Sequence, residues 1–347
     1  MKTELLRVDE RSDEILQRAA ELIKSGALVG FPTETVYGLG ANAFDAMACL
    51  EIFKAKGRPA DNPLIVHISK PEDAERISYT NELYYKLAKR FMPGALTVIM
   101  PKKDIIPSEV TAGLDSVAVR CPVNKIANRL IDFSGVPIAA PSANRSGKPS
   151  PTSAKHVFDD MNGIIPMILD GGDCDVGVES TVIKISEDSI ILLRPGAITF
   201  EMLKEVCDNV SISSAVTEEL KEGEKPLSPG MKYKHYAPNA QLYLVDDEYV
   251  DFVSFVNEMS AKENCAVMCY DEELANIKTD KLLPVGKKND IKKQTKRLFM
   301  LLRKADDMKV TAIYAHLPQK SGESLAMYNR MIRACAHRVI GGTNGKI

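Results

Sequence analysis

The chain has 347 residues, 45% hydrophobic and 27% charged, with a formal net charge of −2. This balance excludes a disordered or collagen-like chain and leaves room for about two globular domains with sizeable cores. Near-neutral charge removes any whole-chain electrostatic signature for nucleic acid, and no apolar run approaches the ~18 residues that a spanning helix needs.

Residues 12–25 have helical periodicity, with Ile15, Ala19 and Leu22 on one face and Gly26 as the stop. The apolar run 27–31 is of strand type. Pro32 must end it, because proline fixes its own φ and cannot donate to a sheet ladder. Behind it stand Thr33, Glu34, Thr35, Tyr37, Gly38 and Gly40. A polar turn at a strand's carboxyl end is where α/β sheets collect ligands, and the glycines permit unusual φ or a close backbone approach. An ordinary turn capped by its threonines uses the same residues.

A helix over 46–54 delivers Lys56, Gly57, Arg58, Pro59, Asp61 and Asn62, followed by a strand over 64–68 that carries His67. Two cations on a Gly-Pro-constrained loop suit an anion, Arg as a planar fork and Lys as a point charge; two solvated surface charges are the plainer reading. A helix over 81–91 and a strand over 96–100 precede 116–120 (SVAVR), which alternates like a half-buried strand and ends on Arg120. The strand 136–140 opens into PSANRSGKPS, a second polar segment at a strand end, which points to one site shared with the Thr33–Thr35 turn. After the strand 164–169, the turn DGGDCDVG lacks the Gly-Lys-Ser/Thr ending of a P-loop, and no Gly-x-Gly-x-x-Gly opens a helix. Strands begin at 179–182 and span 190–193, the latter ending at Arg194, and a helix spans 199–207. Lys56, Arg58, Arg120 and Arg194 thus all lie at turns or strand ends, as a substrate with several anionic groups would require.

Residues 210–229 are poor in apolar side chains and read as a linker. It ends in SPGMKYKHYAP, whose aromatics, histidine and lysines suit a segment lying over an anionic, stacking ligand. A second α/β pattern follows: strands at 241–245, 266–270 and 310–316, and helices at 248–263, 291–305 and 325–339. The third helix carries Tyr328, Ile332 and Cys335 inward. Lys288, Lys292, Lys293 and Lys296 offer a solvated face or a contact to RNA, the first being the commoner case. The seven cysteines are scattered, odd in number and without zinc-site spacing, and the N-terminus lacks a signal-peptide apolar stretch. A reduced, cytoplasmic compartment is expected, with Cys265 and Cys269 as buried thiols.

Together PTETVYGLGAN, KGRPADNPL, MPGALT, SVAVRCP, PSANRSG, ESTV, LLRPGAI and SPGMKYKHYAP resemble the YrdC-like family, and more narrowly its two-domain branch, the L-threonylcarbamoyladenylate synthases. The resemblance covers nearly the whole chain, less by motif in the last domain than by length. It implies a YrdC-like catalytic domain over 1–209 (a twisted mixed sheet flanked by helices), a linker or lid over 210–239, and a smaller Rossmann-like α/β domain over 240–347.

The activity it implies joins L-threonine, bicarbonate and ATP into threonylcarbamoyl-adenylate with release of pyrophosphate. A downstream tRNA threonylcarbamoyltransferase machinery then modifies adenosine 37 of tRNAs reading ANN codons. Thr35, His67, Arg120, Ala140 and Ser180 would contact threonine. Lys56, Arg58 and Asn62 would hold ATP phosphates, with Lys56 and Arg58 as the catalytic cations. Ser116, Ser142, Asn144, Ser150 and Arg194 would line the nucleotide side, and His235 and Tyr236 would cover it. Magnesium would arrive with ATP, since no compact carboxylate cluster makes a dedicated cage. Two rivals remain: a carbamoyl-adenylate-forming carbamoyltransferase, although its zinc-finger and acylphosphatase-like segments are missing here, and an RNA-binding module without turnover.

Overall fold

The computed structural model describes residues 1–217 and 236–341. They divide into two units, one of residues 1–146 and 150–217, the other of 147–149 and 236–341. His235 lies outside the described residues.

The first unit runs β1 (Glu4–Arg7), α1 (Asp13–Lys24), β2 (Val29–Phe31), β3 (Gly38–Asn42), α2 (Ala46–Lys56), β4 (Ile65–His67), α3 (Glu82–Phe91), β5 (Leu96–Pro101), α4 (Ser108–Thr111), β6 (Ser116–Arg120), α5 (Lys125–Ser134), β7 (Ile138–Ala140), α6 (Ala154–Met161), β8 (Met167–Asp170), β9 (Thr181–Ile185), β10 (Ile190–Arg194), α7 (Phe200–Lys204) and β11 (Val210–Ile212). Its strands form one mixed sheet in the order β1-β8-β2-β3-β7-β4-β6-β5-β9-β10-β11.

Helix α1 buries Leu16, Ala19, Ala20 and Ile23, an i, i+3, i+4, i+7 stripe, against Ile126, Ala127, Leu130 and Ile131 of α5 and the strand residues Val29, Phe31 and Leu169. Each fully buried Leu or Ile stabilises by roughly 1.5–3 kcal/mol. The stripe is centred one residue beyond the expected Ile15 and Leu22, which are only half-buried. Helix α5 is fixed at both ends: Asn124 accepts from the amides of Ile126 and Ala127, and Gly135 closes it at φ 63°.

Three strands depart from the sequence reading. Residues 38–42, expected as the close of a turn, form β3, which pairs antiparallel with β2. Glu4–Arg7 makes the edge strand β1, parallel to β8, although its charges hid it. Val210–Ile212, expected as linker, pairs parallel with β10, so the sheet extends past residue 209.

The second unit runs β12 (Gln241–Val245), α8 (Phe252–Lys262), β13 (Cys265–Met268), α9 (Ile291–Asp307), β14 (Ala312–His316), α10 (Ser324–Ala334) and β15 (Val339–Ile340). Its sheet is all parallel, in the order β13-β14-β12-β15. Every residue of β13 and β14 is buried, as crossover helices on both faces require. Cys265 and Cys269 are buried free thiols. Lys292 and Lys293 are exposed and lie 3.5 Å from Glu323 and 4.0 Å from Asp271, an outer face with its own counter-charges.

His316, at the carboxyl end of β14, is stacked between Phe252 and Tyr270 at centroid distances of 3.6 and 4.3 Å. Its Nδ1 meets Asp247 at 2.8 Å and its Nε2 meets Glu273 at 2.9 Å. Burial opposes the charged ring, but the two carboxylates outweigh it and raise the pKa above the usual value. Folding therefore favours the protonated form. The resulting stabilisation is complete below the unfolded-state value of about 6.5 and is lost as pH rises through the higher folded-state value. Thermal melts from pH 5 to 9 will show this alkaline loss, and His316→Gln will flatten it; identical pH profiles for the two proteins would refute it.

Candidate active site

One rung crosses the first sheet and carries most of its buried polar side chains. His67 is paired with Arg120, Arg120 with Thr97, Thr97 with Val182 and Val182 with Arg194, across β4, β6, β5, β9 and β10. Directly paired residues share a face, so these side chains form a row. Ser180, just before β9, joins it: its hydroxyl lies 2.7 Å from Thr97 Oγ1 and accepts from Arg194 Nη2 at 3.2 Å. A register shift between Leu192 and Arg194 places Leu193 with Ile65, Ile99, Ala118 and Val182 in an apolar floor beside the row.

The turn after β2 supplies the other wall. Pro32 ends the strand as expected. Thr33 Oγ1 donates to the carbonyl of Val36 at 2.6 Å and lies 2.9 Å from Thr35 Oγ1, and both threonines are buried. Glu34 is 6% exposed, and its Oε1 accepts from Arg120 Nη2 at 2.7 Å. The 170–177 turn holds this segment in place: the amides of Val176 and Gly177 donate to the carbonyls of Glu34 and Thr35 at 2.8 and 3.1 Å. Tyr37 adds a hydroxyl bond to the Gly172 carbonyl at 2.6 Å. Gly38 and Gly40 serve close approach rather than unusual φ. A Cβ at Gly38 would lie 2.8 Å from Phe31 Cζ, and one at Gly40 would lie 2.8 Å from Ile138 Cγ2.

His67 is buried with its ring edge-on to Phe31. Its Nδ1 faces the carbonyls of Ile65 and Ile138 at 3.1 and 3.3 Å. Both partners are acceptors, so Nδ1 carries the proton and Nε2 is left as an acceptor. Burial, reinforced by the Arg120 charge, lowers its pKa to about 3. The neighbouring thiols offer no nucleophile: burial raises Cys121 to about 12 and pushes Cys174 up further.

A second cluster surrounds Lys56, at the end of α2. Its buried ammonium donates to the carbonyl of Ser142, the carbonyl of Asn144 at 2.6 Å and Asn144 Oδ1 at 3.4 Å. Ser142 Oγ donates to Asn144 Oδ1 at 2.6 Å, and the Asn144 amide donates to the Arg145 carbonyl at 2.8 Å. Lys56 thus clamps the loop after β7, a role that the sequence reading, which placed it on phosphates alone, did not foresee. Arg58 is half-buried, donates to the carbonyl of the fully buried Asn62 at 3.2 Å and lies over the Phe53 ring.

The remaining expected residues are distributed around these two groups. Ala140 ends β7 and pairs with Ile65. Ser150 donates to Glu179, both buried. Ser116 begins β6, so it shares the face of Arg120 but lies about 13 Å along the strand, at ~3.3 Å per residue. Tyr236, expected over a nucleotide, is buried in the second unit, stacked on Phe299 at 5.1 Å with the Arg330 guanidinium over its ring. Thr97 and Glu179 were not singled out from sequence, and Glu34, read there as part of a polar turn, was given no partner. Strand alternation alone could have put Thr97 on a face, but its neighbours follow only from register. Among the described residues, no group of three or more His, Cys, Asp or Glu side chains is arranged to hold a metal ion, and no helix is long and apolar enough to cross a membrane.

Residues 21–196 match the family model that groups Sua5, YciO and YrdC, described as "Telomere recombination". Residues 198–336 match the model "Threonylcarbamoyl-AMP synthase, C-terminal domain". The chain is 43% identical to the threonylcarbamoyl-AMP synthase of Pyrococcus abyssi, covering 97% of this chain and 99% of that one. It is 42% identical to the threonylcarbamoyl-AMP synthase of Bacillus subtilis, over 98% of this chain and all of the other (100%). The crystal structure of P. abyssi Sua5 complexed with L-threonine superposes with a TM-score of 0.89 at 43% identity, covering 97% of this chain and 99% of that chain.

The depressed pKa of His67 has a measurable consequence. Folding favours the neutral ring, so its contribution to stability is complete above the unfolded value of about 6.5 and is lost as pH falls towards about 3. NMR of the imidazole will show one neutral tautomer, protonated at Nδ1, from pH 8 to pH 5. A titration centred near 6.5 would mean that the ring is not desolvated beside Arg120.

Proposed function

The chain belongs to the threonylcarbamoyl-AMP synthase family, and we propose that its first unit joins L-threonine, bicarbonate and ATP into threonylcarbamoyl-AMP, releasing pyrophosphate and water. The observation that carries this reading is the buried rung His67–Arg120–Thr97 with Ser180. It offers a cation for a carboxylate, a neutral imidazole acceptor and hydroxyls, all of them buried from bulk water. That is the complement of an amino acid with a hydroxyl side chain. Arg120 takes the threonine carboxylate, and Nε2 of His67 accepts from a neutral donor such as the side-chain hydroxyl.

The chemistry needs no covalent nucleophile. Threonine's amine, once neutral, adds to bicarbonate with loss of water; a carbamate oxygen then attacks the α-phosphate of ATP, and pyrophosphate leaves. Protein groups contribute by positioning and by charge stabilisation, which together supply much of the acceleration in phosphoryl and adenylyl transfer. Arg58 reaches the phosphates from its half-buried position. Lys56 acts through the loop it clamps as well as by its charge. Arg194 holds Ser180 against Thr97, which makes it a positioning residue on the threonine side as well as a cation facing the nucleotide. Magnesium would come with ATP, whose phosphates and water would supply its oxygen ligands. The product serves threonylcarbamoylation of adenosine 37 in tRNAs reading ANN codons, by a downstream transferase.

Pyrophosphate release from ATP, with L-threonine and bicarbonate omitted in turn, tests the reaction. Release that requires both is the expected result. Release driven by carbamoyl phosphate without threonine would instead indicate a carbamoyltransferase, and no release from folded protein would leave a binding module. The two cations separate by stability. Arg58→Ala lowers turnover by about 10²–10³-fold at an unchanged melting temperature, as for loss of a charge-stabilising donor. Lys56→Ala lowers both turnover and stability, the latter by about 1–3 kcal/mol, because loop carbonyls lose their buried partner. Equal melting temperatures for the two variants would remove the clamp.

A further inference from the structure

The Glu34–Arg120 pair is incomplete on both sides. Glu34 Oε1 is engaged with Arg120 Nη2, but Glu34 Oε2 and Arg120 Nε are buried without a hydrogen-bond partner among the described residues. The side chains are 7% and 5% exposed. A buried polar atom left unpaired costs about 1–3 kcal/mol, more when it is charged, and native proteins seldom retain two within one ion pair without a use for them. One orphan is an anionic acceptor and the other a cationic donor. They lie on adjacent residues of one ion pair, beside the Thr33 and Thr35 hydroxyls and in the row of His67 and Thr97.

An α-amino acid zwitterion presents the opposite pattern, an ammonium donor and a carboxylate acceptor separated by one carbon. We infer that Glu34 is the amine-recognising residue of the threonine site: its Oε2 accepts an N–H of the substrate's α-ammonium, while its Oε1 keeps Arg120 turned towards the substrate carboxylate. Other acceptors are less suited. His67 Nε2 can accept, but the ring is uncharged and the Arg120 guanidinium is its immediate neighbour on the rung. Thr33 Oγ1 already receives the amides of Thr35 and Val36 at 3.2 and 3.3 Å. Glu34 is the one carboxylate in contact with Arg120 among the described residues. The same contact orients the nitrogen that must later carry the carboxyl group, so the residue also sets which end of the amino acid meets bicarbonate.

This inference rests on the threonine reading above, and its test separates the two. Calorimetric binding is measured for L-threonine and for its analogue bearing a hydroxyl in place of the α-amine, with wild type, Glu34→Gln and Glu34→Asp, each checked for folding by thermal melt. Wild type is expected to prefer threonine by about 10–100-fold, as for a hydrogen bond between charged groups in a dry site. In Glu34→Gln that preference falls towards one, and Glu34→Asp is intermediate because its carboxylate is drawn back by one methylene. If Glu34→Gln weakens both ligands by one factor and the preference persists, Glu34 merely props up Arg120 and the inference is overturned. Should Glu34→Gln fail to fold, Glu34→Asp decides, since an unchanged preference there is equally fatal. Absence of threonine binding to wild type would instead refute the threonine reading itself.

Discussion

Burying an arginine inside a sheet is the constraint on which the first unit depends. Taking a guanidinium out of water costs several kcal/mol even after relaxation, and the surroundings must return that energy. Glu34 supplies the counter-charge at 2.7 Å. Burial first, and the Arg120 charge second, set the protonation of the neighbour on the rung: His67 stays neutral with its Nδ1 proton directed at main-chain carbonyls. His316 shows the converse. It is equally buried, but it sits between two carboxylates, and its pKa rises. Two histidines of similar exposure are thus driven apart by the sign of the charge each one meets.

Much of the nearby backbone serves to hold that arrangement. Strand β2 must stop at Pro32 so that the next three residues can turn back towards β6. Strand β3 must pass close to Phe31, which excludes a side chain at Gly38. The 170–177 turn then secures the threonine-bearing segment from behind through main-chain bonds. In a separate cluster Lys56 gathers three oxygens of the loop after β7. Hydroxyls and amides at strand ends are therefore engaged with one another before any substrate arrives. Such preorganisation is what a reaction without a covalent nucleophile requires, because orientation and fixed dipoles must supply the acceleration.

How far the molecule could be read from its residues varies with the range of the interaction. The bounds of strand β6 were legible to the residue, because Cys-Pro follows SVAVR, but the strand is buried on both faces rather than half-buried as its alternation suggested. Helix α3 was legible from its cap and stripe, whereas α5, with the same signals within ten residues, was passed over between the strands on either side of it. Strands β1 and β11 were not legible: each is an edge whose pairing partner, rather than its composition, makes it a strand. Glu34 was visible as part of a polar turn, yet nothing local marked it as the partner of an arginine 86 positions away.

By itself the sequence determined the α/β class, the position of most helices and strands, the motifs that place the chain in its family, and the residue types at the strand ends. These follow from short-range physics: periodicity, proline geometry, glycine permissiveness and capping. Only the tertiary structure decided that Thr97 and Ser180 meet, that Lys56 holds a loop, that Tyr236 packs on Phe299, and that Glu34 and Arg120 form a pair with two atoms to spare. Each of those depends on register between strands or on contact between distant segments. A one-residue slip would turn every side chain of a strand to the other face, and no local pattern encodes which neighbour a face will meet.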